Sequence, residues 1–256
     1  MEAFVSALLK AGFPMRVVAV ANQKGGSGKT TTAVNLAAAA AELGRRVLVV
    51  DADPQGSASA WLGVRHLDDR LLEVFCHDTG LAGLAHATGV SGVRLVPASP
   101  NLRDTTVAEV VGVHQALRRA LPPPGTYDVV LIDTPPALGH VVIASLAAAD
   151  VVVVPVAAHA LELDGLAAVH RTTATVQRRI NPELRLRVLA CRVDARTRLA
   201  REVLDTLRDR LGDAVLATVI RENVRVAEAY SHEQPVLAYA PASAAAQDYR
   251  AALAGA

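Results

Sequence analysis

A glycine-rich loop that contains two lysines is the feature of this sequence with the clearest chemistry. It reads Lys24-Gly25-Gly26-Ser27-Gly28-Lys29-Thr30-Thr31 and stands between a run of β-branched residues and a segment of helical period. Glycines let successive backbone N–H groups converge on phosphate oxygens, and the start of a helix adds its positive end. In such a loop Lys29 reaches the β- and γ-phosphates and the Thr30 hydroxyl ligates magnesium. The sequence therefore predicts a nucleotide-phosphate site.

The loop departs from the common phosphate-binding pattern GxxxxGK[ST] in two ways. Gln23 occupies the position of the first glycine, and an additional lysine, Lys24, stands at the start of the loop. The whole chain has three lysines, and two of them are in this loop. Two interpretations of Lys24 are open at this point: a residue with a role at the phosphates, or a solvated side chain that flanks glycines.

Two further carboxylate motifs follow hydrophobic runs. Asp51 and Asp53 come directly after Val47–Val50, and Asp133 follows Val129–Ile132. The carboxyl ends of parallel strands meet at one edge of a sheet, which is where ligands bind in open α/β folds. A carboxylate there can position water or hold the hydration shell of a metal. Each motif is weak alone, because Asp-Pro turns are common after strands, but the three in this order predict a site for a nucleotide and Mg²⁺.

The elements that would position these residues alternate along the chain. Segments of helical period are found at Thr30–Leu43, Val107–Leu121, Leu161–Ile180 and Thr197–Leu211. Buried strands are predicted at Val17–Ala21, Val47–Val50, Val93–Val96, Val129–Ile132, Val151–Val156, Leu186–Cys191 and Val215–Ile220. Parallel strands need crossover connections that place helices on both faces. The pattern predicts a single P-loop NTPase domain of α/β class, with a mostly parallel twisted sheet and helices on both faces.

Composition excludes several classes of protein. With 256 residues, 52% hydrophobic and 20% charged, the chain can bury a large core, which excludes a disordered or fibrous protein. The longest apolar candidate for a membrane span is interrupted by Asp150, so no span is predicted. Cys76 and Cys191 form neither a disulfide framework nor a zinc motif. We therefore expect a cytoplasmic protein.

Residues 1–14 precede the first predicted strand and are treated as an extension of a domain that comprises residues 15–256. They lack the basic region of a signal peptide. Two interpretations stay open for this segment. One is a short amphipathic helix formed by Phe4, Val5, Leu8 and Leu9, and the other is a misplaced start codon, since Met15 would itself be a sensible first residue.

Charge is distributed unevenly along the chain. The net charge is +1, but thirteen arginines and eight acids lie between Gly165 and Tyr230. Attraction to a polyanion must therefore come from local clusters in the C-terminal third. In the segment Thr197–Leu211 arginines and acids share one face at i, i+4 spacing, which favours an ordinary solvated helix. Three histidines, His159, His170 and His232, have no partner at ligand spacing and are interpreted as ordinary surface or packed residues.

Taken together, these motifs resemble the ParA/Soj partition ATPases, which belong to the deviant Walker A superclass that includes MinD. The resemblance covers nearly the whole chain. It is carried by Ala21–Thr30, Asp51–Gln55 and Ile132–Pro136, and by two C-terminal segments, Asp194–Thr197 and Glu222–Ala229.

The resemblance implies an ATP-dependent homodimer in which Lys24 crosses to the phosphates held by the other subunit. It further implies that Asp53 orients the attacking water, and that Thr30, with Asp51 and Asp133 in the outer shell, holds Mg²⁺. The implied activity is a slow ATPase. By family position, Arg192 and Asn223 would line the adenine pocket.

The resemblance also implies that the ATP-bound dimer binds double-stranded DNA without sequence preference and that a ParB-like partner stimulates hydrolysis. Arg196 and Arg225 match basic positions of the family. Where close relatives have Pro-Arg, this chain has Arg221-Glu222, so Arg221 either replaces the missing base from one residue away or leaves that part of the patch weaker. The expected location is the cytoplasm, in association with the nucleoid.

Other functions remain open on the sequence alone. The same machinery can position a cargo other than DNA. A MinD-type membrane switch would need an amphipathic C-terminal helix, and the last ten residues carry one arginine and one leucine among alanines, so no stable membrane association is expected. A metabolic member of the superclass, a reductase or a ligase, is the third alternative. A reductase would need cluster-ligating cysteines, which Cys76 and Cys191 do not resemble.

Overall fold

The computed structural model describes residues 15–66, 68–77, 79–158 and 163–254. These residues form a seven-stranded sheet, and its strands are β1 (Arg16–Val20), β2 (Val47–Asp51), β3 (His86–Ala87), β4 (Val93–Val96), β5 (Val129–Asp133), β6 (Val151–Ala157) and β7 (Arg185–Cys191). The strand order is β3-β4-β2-β5-β1-β6-β7. All neighbours pair in parallel except β3, which is antiparallel to β4. The predicted α/β fold with a mostly parallel sheet is confirmed.

The helices of the described residues follow the strands in the order that crossover connections require. They are α1 (Lys29–Glu42), α2 (Ser57–Trp61), α3 (Arg70–His77), α4 (Asp104–Val107), α5 (Ala116–Arg119), α6 (His140–Ala148), α7 (Leu163–Arg179), α8 (Arg198–Leu211), α9 (Val224–Ser231), α10 (Val236–Tyr239) and α11 (Ala244–Ala254). None of them is long and apolar enough to cross a membrane.

The core lies on both faces of the sheet because strand side chains alternate between them. Val130 and Ile132 of β5 belong to one apolar cluster, whereas Val129 and Leu131 belong to the other. All four are buried. The second cluster is covered largely by the alanine-rich helix α1, whose small side chains let it lie close to the sheet. Burial on both faces explains why these strands read as continuous hydrophobic runs.

The prediction of a strand at Val215–Ile220 is wrong. The segment makes isolated parallel bridges to the edge strand, between Val188 and Val215 and between Val193 and Arg221. The N–H of Leu216 donates to Val188 at 2.8 Å and that of Ile220 donates to Ala190 at 2.8 Å. Four residues of the segment therefore span two residues of β7. The residues between Leu216 and Ile220 are too many to pair one by one with β7, so a continuous strand cannot form there.

The prediction of one helix over Val107–Leu121 is also wrong, because the region is divided into α4, a 3₁₀ turn at Val113–Gln115 and α5. Gly112 adopts a φ of +75°, which is left-handed, so a regular helix cannot continue through this residue. The helix predicted at Thr197–Leu211 is confirmed, and the Thr197 hydroxyl caps it by accepting from the N–H of Ala200 at 3.2 Å. Of the predicted helix Leu161–Ile180, the first two residues lie outside the described part.

Asn181 joins two helices and provides a test of the packing. Its side chain is 6% exposed, and its Nδ2 donates to the carbonyls of Leu146 at 3.2 Å and Ala149 at 2.7 Å, where α6 ends. We expect Asn181→Ala to lower the free energy of unfolding by about 1–3 kcal/mol, because buried carbonyls lose their donor. Denaturant unfolding measures this. Asn101→Ala, which removes an exposed hydrogen bond to Asp69, should cost less than about 0.5 kcal/mol. Equal losses for the two variants would contradict the assignment.

Candidate nucleotide-binding site

The predicted phosphate loop lies between β1 and α1, at the carboxyl edge of the sheet. Gly26 and Gly28 have φ values of +75° and +94°, in the left-handed region that side chains other than glycine rarely adopt. A Cβ placed on Gly25, Gly26 or Gly28 would meet no atom within 4 Å. The backbone therefore borders open space, as a loop that receives phosphates must. Gly28 also precedes the first turn of α1, so the N-terminal N–H groups of that helix are available at this point.

Lys29 is almost fully buried, with 7% of its surface exposed. Its Nζ lies 3.4 Å from the carbonyl oxygen of Lys24 and so folds back over the loop. Burial lowers the pKa of Lys29, while the charges of Asp133 and Asp53 act in the opposite direction. The ammonium is thus held between the loop and the acidic edge of the sheet, where a polyphosphate would supply a second set of anionic partners.

Asp51 and Asp133 stand side by side because they are register partners at the ends of β2 and β5. Both are fully buried. Asp51 Oδ2 accepts hydrogen bonds from the backbone N–H and the hydroxyl of Ser59, each at 2.7 Å. Neither carboxylate oxygen of Asp133 has a hydrogen-bond partner within the described parts of the chain. A buried carboxylate whose oxygens lack well-formed hydrogen bonds is costly, so this position calls for a ligand.

The two carboxyl groups have strongly shifted acidities. Burial raises the pKa of Asp51 to about 6, against the opposing effect of the Ser59 hydrogen bonds. Burial, followed by the charge of Asp51, raises the pKa of Asp133 well above its ordinary value, and the Thr30 hydroxyl and Lys29 oppose that rise. A divalent cation would favour the charged forms of both groups.

The residues present fit Mg²⁺. Oxygen donors are what this cation prefers, and it keeps several water ligands while binding through one or two carboxylates and phosphates. Thr30, Asp51 and Asp133 supply oxygens around one point of the sheet edge. Over the described ranges, no three His, Cys, Asp or Glu side chains converge to form an all-protein metal cage. A cation here would therefore complete its shell with water and phosphate.

Asp53 lies in a tight turn directly after β2, at the same edge of the sheet. Its Oδ1 accepts from the N–H of Gln55 at 3.0 Å, and its own N–H lies 3.3 Å from Asp51 Oδ1. The residue is half-buried and close enough to Lys29 to influence its pKa. The turn therefore places the Asp53 carboxylate beside the phosphate loop and leaves that carboxylate partly open to solvent.

A cavity of about 750 Å³ extends from the phosphate loop toward the C-terminal part of the chain. Thr30 and Thr31 line one end, and Arg192 and Asn223 line the other. The structure thus brings the two residues predicted for the base pocket to the same cavity as the loop. Arg192 has a φ of +53°, a backbone conformation that is uncommon for a side-chain-bearing residue and often found at functional sites.

Several residues of this cavity were not identified from the sequence. Trp61 and Tyr230 meet edge to face with ring centroids 5.0 Å apart, and the Trp61 Nε1 donates to the carbonyl of Gln234 at 2.7 Å. Cys191 and Tyr249 also line the cavity. Burial raises the pKa of the Cys191 thiol to about 12, so that side chain is neutral. These residues are far apart along the chain, and no local pattern marks them.

Asn22 and Gly165 form a second unforeseen part of the site. Asn22 is 1% exposed, its Nδ2 donates to the carbonyl of Pro155 at 2.7 Å, and its Oδ1 accepts from the N–H of Lys24 at 3.1 Å. A Cβ on Gly165, near the start of α7, would lie 3.1 Å from the same Oδ1. Asn22 therefore fixes the start of the phosphate loop to β6, and the glycine lets α7 approach it. The position of Asn22 next to the loop was the only available signal.

The three arginines predicted to contact DNA are each paired with an acid. Arg196 makes two hydrogen bonds to Asp194, at 2.9 and 2.8 Å, and they lower the pKa of that carboxyl to about 2. The pair Arg225–Glu228 is separated by 2.6 Å, and the pair Arg221–Asp248 by 2.7 Å. Arg221 also lines the nucleotide cavity. Asp248 of α11 therefore holds the Arg221 side chain at this cavity.

Glu222, the acidic departure from the family pattern, lies 3.2 Å from Arg192 at the cavity. Of the histidines, His170 is exposed, and the His232 Nδ1 is 2.9 Å from the carbonyl of Glu228. His159 and residues 1–14 lie outside the described part of the chain. The structure therefore adds no site at His170 or His232.

The anchor made by Asn22 can be tested directly. We expect Asn22→Ala to weaken ATP binding by about 3- to 30-fold, because the variant loses the hydrogen bond that holds the Lys24 N–H and the one that anchors this position to Pro155. Calorimetric titration with ATP and Mg²⁺ measures this. Gln23→Ala is the matched control, since Gln23 is the exposed neighbour in the same loop, and it should bind as the unaltered protein does. If both variants bind equally, Asn22 does not position the loop.

Comparisons with known proteins agree with this geometry. Residues 15–186 match a family model described as an AAA domain. Chromosome-partitioning ATPase Soj of Thermus thermophilus is 47% identical over 237 residues, which cover 92% of this chain and 93% of that protein. Sporulation initiation inhibitor protein Soj of Bacillus subtilis is 38% identical over 91% of this chain and 95% of that protein.

Solved structures share the fold. Cobyrinic acid a,c-diamide synthase from Mycobacterium smegmatis, with bound ADP and magnesium, superimposes with a TM-score of 0.77 at 36% identity, over 92% of this chain and 91% of that one. The fold, the phosphate loop with its extra lysine and the sequence identity over most of the length lead to one conclusion. The chain belongs to the ParA/Soj family of P-loop ATPases.

Proposed function

We propose that this protein is an ATP-dependent DNA-partitioning switch, whose ATP-bound homodimer binds duplex DNA without sequence preference and whose slow hydrolysis of ATP releases it. The observation that supports the proposal most is the arrangement around the phosphate loop. Lys29, Asp51 and Asp133 are buried at its base, whereas Lys24 is exposed at its start. The names of the Soj relatives indicate the same cellular role.

In the proposed mechanism, the backbone N–H groups of the loop and the start of α1 bind the phosphates of ATP, and Lys29 contacts the β- and γ-phosphates. Thr30, with Asp51 and Asp133 in the outer shell, would hold Mg²⁺. When bound, the cation neutralises charge on the phosphates. Arg192 and Asn223, at the other end of the cavity, contact the adenine.

Asp53 orients the water that attacks the γ-phosphate. Its carboxylate is half-buried beside the loop, so it can hold a water molecule without being sealed from the phosphates. Its Oδ1 already accepts the N–H of Gln55, which fixes the direction of the carboxylate. Positioning of this kind, and not covalent chemistry, is the main contribution that a protein makes to phosphoryl transfer.

Lys24 makes hydrolysis depend on dimerisation. Its N–H is held by Asn22, and its carbonyl accepts from Lys29, so its backbone is fixed while its side chain is exposed. In the dimer that side chain stabilises the developing charge on the γ-phosphate of the other subunit. Because ATP shifts the monomer–dimer equilibrium only by binding the dimer more tightly, nucleotide state controls assembly.

Arg196 and Arg225 contribute to contacts with DNA phosphates, with Arg221 between them in sequence. All three are ion-paired with acids of this chain. The Arg196 side chain is 89% exposed, and exposed ion pairs contribute little net stability. Arg196 can therefore leave the Asp194 carboxylate and bind a DNA phosphate at a small cost in free energy. A ParB-like partner stimulates hydrolysis, and the ATP-bound form resides on the nucleoid.

Replacement of Asp53 tests the catalytic part of the proposal. Asp53→Ala should retain ATP binding and lower turnover at least about tenfold, because only the positioning of water is lost. Lys29→Ala should instead abolish nucleotide binding, since it removes the buried cation at the phosphates. Phosphate release and nucleotide titration, measured side by side, separate the two effects. Unchanged turnover in Asp53→Ala would remove this carboxylate from the mechanism.

Nucleotide-dependent DNA binding tests the cellular part of the proposal. With a non-hydrolysable ATP analogue and Mg²⁺, the protein should bind an arbitrary duplex, and affinity should fall steeply with salt because phosphate contacts release counterions. With ADP or no nucleotide, binding should be much weaker. Fluorescence anisotropy measures both. Lys24→Ala is the control that should bind ATP but fail to dimerise or to bind DNA.

The opposite result would favour one of the other interpretations. If the ATP dimer forms but no nucleotide state binds DNA, the partition proposal fails. Liposome binding would then test a MinD-type switch. The synthase name of a solved relative with 36% identity makes an ATP-dependent ligase the next alternative, to be tested with carboxylate substrates.

A further inference from the structure

The arginines of the C-terminal third fall into two groups that the sequence does not distinguish. Arg196, Arg221 and Arg225 are ion-paired with acids, as is Arg198, whose Nε lies 2.6 Å from Glu202. In contrast, the arginines of α7 have no ion pair in the described ranges. They are Arg171, Arg178 and Arg179, and all three are exposed.

Arg171 and Arg178 form a row along the exposed side of α7. They are seven residues apart, which is two helical turns, or about 10 Å along the axis. Thr175 lies between them. Its hydroxyl donates to the carbonyl of Arg171 at 3.0 Å and accepts from Arg178 at 3.4 Å. The row therefore consists of two guanidinium groups with a hydroxyl between them.

No acid interrupts this part of the helix. From Gly165 to Arg179 the sequence contains no Asp or Glu, and Glu183 is the next acid along the chain. Arg178 and Arg179 are in the last turn, where a positive charge stabilises any helix. Arg171 is in the middle of the helix, so that explanation does not apply to it.

The basic surface continues across a groove to α8. A cavity of about 230 Å³ is bordered by His170 and Gln177 of α7 and by Arg210 of α8. No carboxylate lines it, and Arg210 makes no ion pair with the described residues. The groove thus links the row on α7 to one further arginine, Arg210 of α8.

We propose that this surface, which comprises Arg171, Arg178 and Arg210 and is here called the α7 surface, is a second contact site for the phosphate backbone of duplex DNA. The inference rests on the proposed function. A spacing of about 10 Å corresponds to the axial rise of about three phosphates on one strand. Arginine binds phosphate oxygens with two parallel hydrogen bonds. The surface contacts backbone and carries no sequence preference.

The composition of this side of the helix favours DNA over a protein partner. Between Gly165 and Arg179, where the structure describes side chains, the exposed residues are Ala167, His170, Arg171, Thr175, Arg178 and Arg179. None is a large apolar residue, whereas the centre of a protein–protein interface is usually apolar and depleted of charge.

The α7 surface stays accessible in a dimer that forms through the phosphate loops. The start of α7 lies against the loop, since a Cβ on Gly165 would be 3.8 Å from the Lys24 Cβ. Arg171 and Arg178 lie about 9 Å and about 20 Å further along the helix axis. The row therefore leads away from the face on which Lys24 would meet its partner.

The double variant Arg171→Ala/Arg178→Ala tests the inference. Duplex binding is measured by anisotropy across a salt series, with the full chain, Mg²⁺ and a non-hydrolysable ATP analogue. Loss of two phosphate contacts should reduce the slope of log K against log salt by about 1.8 and weaken binding at least about tenfold near 0.1 M salt. Arg65→Ala is the matched control, because Arg65 is also exposed but is paired with Glu233. The control should leave the slope unchanged.

A lysine double variant and two checks of folding separate the loss of a DNA contact from a general loss of structure. Arg171→Lys/Arg178→Lys should restore most of the slope, and both double variants should keep the ATPase rate and thermal midpoint, which shows that folding is intact. If the unaltered protein binds duplex and the alanine variant matches Arg65→Ala, the α7 surface is refuted while the proposed function stands. If the unaltered protein binds no duplex in any nucleotide state, the proposed function fails and the α7 surface with it. Loss of binding to polyglutamate without loss of duplex binding would assign the surface to acidic proteins and overturn the inference.

Discussion

Two buried carboxylates that lie side by side are the main electrostatic constraint on the ligand-binding edge of this sheet. The parallel register of β2 and β5 makes Asp51 and Asp133 direct neighbours, and burial raises the pKa of both. Ser59 donates two hydrogen bonds to Asp51, whereas neither oxygen of Asp133 accepts a well-formed hydrogen bond within the described residues. Without a ligand, the sheet edge carries an electrostatic cost that the rest of the fold must offset. A cation and a polyphosphate remove that cost, so nucleotide binding and stability of this edge are coupled.

The walls of the nucleotide cavity connect that edge to distant parts of the chain. Asn22 links the start of the phosphate loop to Pro155 of β6, and α7 approaches the same point at Gly165. On the other side, Asp248 of α11 holds Arg221, directly before the residues that lead into α9. A change at the phosphates therefore has short physical routes to α7 and to α9, which carry Arg171, Arg178 and Arg225 of the proposed DNA contacts.

The parts of the structure that were predictable from sequence are those determined by local chemistry. Glycine spacing identified the phosphate loop, and hydrophobic runs that end in aspartate identified β2 and β5. The strand predicted at Val215–Ile220 failed because apolar content cannot reveal that four residues must span two residues of β7. Gly112 interrupted a helix whose periodicity looked continuous. Trp61, Tyr230 and Tyr249 converge on the cavity only through the topology of the sheet.

The arginines of the C-terminal third show even more clearly what sequence alone cannot reveal. Thirteen arginines in the C-terminal third look equivalent in sequence, yet their electrostatic effect depends on what each one contacts. An arginine held by two hydrogen bonds to a carboxylate, as Arg196 is by Asp194, contributes a nearly neutral pair to the distant field and must exchange partners to bind a phosphate. An arginine such as Arg171, in the acid-free stretch from Gly165 to Arg179, contributes its full charge to that field and gives up no ion pair with a described residue on binding. The basic surface of this protein is therefore defined by its unpaired arginines, and in the described residues the row on α7 belongs to that group.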